Sequence, residues 1–140
     1  MTFHPWKALR QSGIELVWEA EEGLLGSWDE QERVLRLHPR LSQVQRRCTL
    51  AHEMVHAELG HDGECDEHTE AMVSAEAARR LIPIEALAAV AIAVPDDIDA
   101  MAEALWVDVE TLHARLDERF LHPAERQYLR MRLAMKEQTA

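Results

Sequence analysis

The chain has 140 residues, 47% apolar and 29% charged, an ordinary globular composition long enough to bury one core without staples. Its 26 acidic residues outnumber 15 basic ones, and the formal charge of −11 argues against a general nucleic-acid binder, whose affinity comes from neutralising phosphates. Two cysteines make no disulfide framework, Met1-Thr2-Phe3-His4-Pro5 has neither a basic start nor an apolar run, and no segment reaches the roughly 18 apolar residues of a membrane span. A cytoplasmic protein with free thiols and no membrane partner is expected.

His4 to Gly13 reads as a short helix, with Pro5 in its first turn and Gly13 at its end. Ile14 to Ala20 alternates loosely and reads as a strand, and Glu21-Glu22-Gly23 as a turn. Leu24 to Asp29, broken by Gly26, is a weaker strand. Arg33 to His38 is a third, stopped by Pro39. Three short strands with tight turns predict a small antiparallel meander.

Ser42 then opens a long helix, and Gln45 three residues on makes a capping box. Val44, Cys48, Ala51, Val55 and Leu59 fall at helical spacing on its buried side, and Gly60 fits its C-terminal cap. Within it stands His52-Glu53-Met54-Val55-His56, the pattern H-E-x-x-H. Residues four apart lie one turn apart, so His52 and His56 can aim two imidazoles at one point, as two of three protein ligands of a catalytic zinc. Glu53 lies beside them and can take a proton from water at the open position. The alternative is two partly buried histidines satisfied by neighbouring carboxylates.

An acidic turn with Gly63 follows, then a second helix from about Asp66 to Leu81, stopped by Pro83. From Cys48 to Ala78 there is no Lys or Arg, although eight carboxylates and four of the eight histidines fall there. A divalent cation would offset that charge; a solvated acidic loop is the other reading. If the two helices fold antiparallel about Gly63, His56 and Glu70 stand equally far from the turn and end at similar heights. Glu70, Val73, Ala77 and Leu81 share one face, so Glu70 lies where the helix packs, and a carboxylate there is costly unless it binds something. Glu70 is the favoured third ligand. Glu67 lies one turn earlier, and Asp62 stands where metzincins place theirs, although Leu59 occupies their glycine position. His61, His68 and Cys65 reach a metal only if the loop curls back.

Thr49-Leu50-Ala51-His52-Glu53-Met54-Val55-His56, followed by Glu70-x-x-Val73-x-x-x-Ala77-Ala78-x-x-Leu81-x-Pro83, resembles the ImmA/IrrE family of small zinc metallopeptidases. The resemblance implies His52, His56 and Glu70 as zinc ligands and Glu53 as general base. Val73, Glu76 and Arg80 depart from residues that are small or apolar in the family, and the loop before Glu70 is short. The resemblance also implies a cytoplasmic endopeptidase, often coded by phages and mobile elements, that cleaves a transcriptional repressor. Substrate strands commonly add to a sheet edge in such proteases, and Arg33 to His38 is the candidate edge. Arg79, Arg80 and His68 are near in sequence as candidates to steady the oxyanion, and nothing chooses among them.

Ile84 to Ala93 reads as an Ala-rich helix, and Pro95-Asp96-Asp97 starts another. Ile98 to Leu116 has helix-turn-helix rhythm, with Trp106 where the turn often carries Gly. Its second helix offers Glu110, His113, Arg115, Asp117, Glu118 and Arg119, too nearly balanced in charge for a DNA reader. A unit that packs on the core or receives a protein substrate is favoured. Pro123 opens a last helix to about Lys136. Cys48 reads as a small buried filler. The expected fold is α+β: an antiparallel three-stranded sheet on the H-E-x-x-H helix and the second ligand helix over 1–83, then a helical extension over 84–140. The other readings are a zinc-stabilised binding protein that does not cut, and a helix-turn-helix regulator.

Overall fold

The computed structural model describes residues 3 to 139. Helix α1 (Pro5–Ser12) leads into strands β1 (Glu15–Trp18), β2 (Gly26–Asp29) and β3 (Val34–Leu37). They are hydrogen-bonded in the order β1-β3-β2, with β3 parallel to β1 and antiparallel to β2. The sheet is mixed, which corrects the expected antiparallel meander. Arg33 to His38, the expected edge, supplies the central strand instead. The side chains give the reason. Val34, Leu35 and Leu37 are all buried, whereas β1 and β2 are half-buried or exposed along their length. The most buried strand takes the middle, and the chain leaving β1 skips one place. The turn at Glu21-Glu22-Gly23 closes only a local bridge between Glu21 and Leu24, so it does not join β1 to β2 as a hairpin.

Helix α2 (Gln43–Leu59) begins as its sequence dictates. The Ser42 hydroxyl accepts from the Gln45 N–H, and the Gln45 side chain accepts from the Ser42 N–H. It ends at Gly60, whose left-handed φ of 68° lets its N–H reach the His56 and Ala57 carbonyls. Two apolar clusters flank α2. Cys48, Ala51 and Val55 pack with Val73, Ala77 and Leu81 of the next helix. Leu50 and Met54 pack with Leu9, Leu35 and Leu37 of α1 and β3. Leu59, expected on the buried side, is 53% exposed because the last turn runs beyond both clusters. On the sheet side, a Cβ on Gly26 would lie 2.7 Å from the Thr49 methyl and 2.9 Å from the Arg36 carbonyl. Only glycine lets β2 approach α2 this closely.

Helix α3 (Glu67–Leu81) is capped by Asp66, whose carboxylate accepts from the Thr69 N–H. Helices α4 (Ile84–Ala93), α5 (Ile98–Leu105), α6 (Val109–Leu116) and α7 (Pro123–Thr139) complete seven helices among the described residues, so the fold is α+β. Leu87, Met101, Ala102, Val107 and Leu112 join the cluster that α2 and α3 build. Trp106, between α5 and α6, takes a left-handed φ of 56°. Arg47 holds it there, donating to its carbonyl at 2.8 Å with the guanidinium over its ring. Arg115 of α6 is buried. It donates to the Ile82 carbonyl at 2.8 Å and grips Glu125 of α7 with both guanidinium ends. Among the described residues, no helix is long and apolar enough to cross a membrane.

Candidate metal centre

Antiparallel packing of α2 and α3 brings His52, His56 and Glu70 together. His52 Nε2 lies 3.2 Å from His56 Nε2. The Glu70 carboxylate spans both rings, with Oε2 3.0 Å from His52 Nε2 and Oε1 2.9 Å from His56 Nε2. A tetrahedral ion with metal–nitrogen bonds of about 2.0–2.1 Å holds its donors about 3.3 Å apart. The three donors therefore nearly match the first coordination sphere of such an ion, with a fourth position open. Burial pushes the His52 and His56 pKa values down against the opposing pull of Glu70. Burial thus favours the neutral ring, which keeps the lone pair a cation needs. Chemistry and spacing fit a divalent metal.

Glu53 is 8% exposed, and its carboxyl is strongly perturbed. Burial first, then the charges of Glu70 and Glu21, push its pKa up to about 8. It lines two adjoining cavities. One, of about 300 Å³, is walled by Leu24, Gly26, Thr49, His52, Glu70 and Ser74. The other, of about 340 Å³, is walled by Ser27, Trp28, His56, His61, Glu64 and Glu70. Together they form a cleft along β2, on the side that β3 leaves unpaired.

Three further features surround the site. Ser74 Oγ lies 3.3 Å from His52 Nδ1. Ser74 is four residues after Glu70 and so shares its face, which was a readable signal. His61 Nδ1 lies 2.8 Å from His56 Nδ1, and Cys65 Sγ lies 4.0 Å from the same atom. The loop does curl back, but over the far side of His56. The cleft-side edge is β2, for which only Gly26 gave a hint.

The competing candidates are engaged elsewhere. The His68 ring packs against Phe120, and Asp62 accepts a long hydrogen bond from Gln31. Glu67 joins neither group of converging donors. Arg79 donates to Glu76 and to the Phe120 carbonyl, and Arg80 holds Glu58 and Glu76, so neither guanidinium points into the cleft. A protein-family model described as Peptidase_M78, the IrrE N-terminal-like domain, matches residues 11–127. No curated protein and no solved structure gives a match.

Proposed function

The chain belongs to the Peptidase_M78, IrrE N-terminal-like family, and from that premise we propose that it is a zinc-dependent endopeptidase acting on a cytoplasmic protein. The observation that carries the reading is the convergence of two imidazoles and one carboxylate beside a buried glutamate, in a cleft along a free strand edge. His52, His56 and Glu70 would hold the metal, and two histidines with one carboxylate favour zinc. When bound, zinc supplies Lewis-acid polarisation of the peptide carbonyl and brings the pKa of water to about 7.

Glu53 moves the proton. It takes one from the attacking water and delivers it to the leaving amine, so the peptide bond breaks to carboxylate and amine with atoms balanced. Glu53 must be ionised to begin. A divalent cation nearby favours that form and opposes the burial that raises its pKa. Ser74 steadies the His52 ring through Nδ1. The free edge of β2 offers main-chain groups to an extended substrate, which then lies across the cleft. This edge replaces Arg33 to His38 in that role.

The family resemblance makes a transcriptional repressor of a phage or mobile element the proposed substrate. A DNA-reading role is disfavoured at α6, because Arg115 is withdrawn from its surface to bind Ile82 and Glu125. The test pairs elemental analysis with cleavage of fluorescein-labelled casein. About one zinc per chain, lost in Glu70→Ala, is expected. Glu53→Gln is expected to keep the zinc and to lose cleavage by roughly 10²–10⁴-fold. Zinc retained with no cleavage by the unaltered chain would leave a zinc-stabilised binding protein instead.

A further inference from the structure

His56 presents donors on two sides. Its Nε2 faces His52 and Glu70. Its Nδ1 faces a second group, His61 Nδ1 at 2.8 Å and Cys65 Sγ at 4.0 Å, and all three donor atoms lie within 4.8 Å of one another. The backbone builds this arrangement. Gly60 turns the chain left-handed, the His61 N–H bonds the His56 carbonyl at 3.1 Å, and the loop returns past Gly63 to set Cys65 just before the Asp66 cap.

A ligating histidine ordinarily gives its second nitrogen to a carboxylate, a backbone carbonyl or water. Here that place is held by an imidazole and a thiol, both metal-binding groups. A hydrogen bond from His56 needs only His61, and the thiol is too weak an acceptor to add to it. Cys65 has no other hydrogen-bond partner among the described residues. A tetrahedral ion would set nitrogen and sulfur donors about 3.3–3.6 Å apart, between the two distances observed. The absence of Lys and Arg from Cys48 to Ala78 adds a field that favours a cation.

We infer that His56 Nδ1, His61 Nδ1 and Cys65 Sγ form a second metal site, for a thiophilic ion, that competes with the first for His56. A neutral imidazole has one lone pair. Given at Nδ1 to the second ion, it leaves Nε2 protonated and unable to hold zinc. Binding there releases the Cys65 thiol proton to solvent, since thiolate is the ligand. Thiolate selects soft ions, whereas the two-histidine carboxylate site does not. Such an ion therefore unseats the zinc and switches the cleft off. The competition rests on the zinc reading above; the second site itself does not.

Cadmium is the probe. One equivalent of Cd²⁺ is added to the zinc-loaded full chain, followed by dialysis, elemental analysis of both metals, and ultraviolet absorption for the thiolate-to-cadmium charge-transfer band. The unaltered chain is expected to gain the band and to lose at least half of its zinc. Cys65→Ser is expected to keep its zinc, and both Cys65→Ser and His61→Ala are expected to show the band reduced at least tenfold. Cys48→Ser is expected to behave as the unaltered chain. Glu70→Ala, whose zinc site is broken, is expected to keep the band, which separates this site from failure of the zinc reading. No band in the unaltered chain, a band that survives Cys65→Ser, or a full band with all zinc retained would each overturn the proposal.

Discussion

Glu53 shows how one position is tuned by its surroundings. Its carboxyl is pushed up to about 8 from an ordinary 4.5 because it is buried and faces Glu70 and Glu21. Without metal, the folded chain keeps a proton through a range in which the unfolded chain has released it. Stability contributed by this proton is present below pH 4.5 and is lost as pH rises toward 8. In the presence of a chelator this proton lowers the urea midpoint as pH rises from 5 to 8, against the opposite contribution below about 6.5 of His52 and His56, whose values burial lowers, so Glu53→Gln is expected to raise the midpoint at pH 8 relative to that at pH 5. A pH profile unchanged by the substitution would show that Glu53 is ionised in both states. Ser74 acts on His52 through a single contact. Ser74→Ala is expected to weaken zinc affinity by about 10–100-fold, read by competition with a chromophoric chelator, with little change in helicity.

At the scale of elements, the cleft exists because β2 lies tight against α2. Gly26 makes the approach, and a methyl there would meet the Thr49 side chain and the Arg36 backbone carbonyl. Thr49 can turn; the carbonyl, held in the pairing of β2 with β3, cannot move without the sheet. Gly26→Ala is therefore expected to cost about 1–3 kcal/mol, measured by denaturation, and to raise KM for a protein substrate more than it lowers kcat. A fully stable variant would show that β2 can lift away freely. Four helices are firmer, because a side chain satisfies the N-terminus of each locally: Ser42 and Gln45 at the start of α2, Asp66 for α3, Asp97 for α5 and Asp108 for α6.

Across the whole molecule, Arg115 ties three elements together. It is 3% exposed, caps the end of α3 at the Ile82 carbonyl, and pairs with Glu125 of α7. The Arg115 guanidinium holds the Glu125 carboxyl below the usual carboxylate range. Arg115→Ala leaves the Ile82 carbonyl unpaired and Glu125 with only its longer contacts to Arg79 and the His122 N–H, and a loss of about 1–3 kcal/mol is expected. Arg115→Met, with Glu125→Gln beside it, is expected to recover part of that loss in the same denaturation assay. Because α3 also carries Glu70, Arg115→Ala is expected to loosen zinc as well.

Much of this protein was legible in residue spacing. The H-E-x-x-H pattern put two imidazoles one turn apart, Ser42 with Gln45 and Gly60 bounded α2, and the equal distances of His56 and Glu70 from Gly63 placed them level across the helix pair. These are local relations, fixed by a rise and a period that hold wherever a helix forms. The α+β class followed from the same periodicities. Strand order did not, because alternation says which face is buried and not which strand lies alongside. The burial of Val34, Leu35 and Leu37 moved β3 to the centre and gave β2 the edge beside the cleft. The position of His61 and Cys65 behind His56, and the withdrawal of Arg115 into the interior, were likewise decided by packing. Sequence set what each segment can form, and the tertiary structure chose its neighbours, since contacts between distant residues depend on the whole core closing at once.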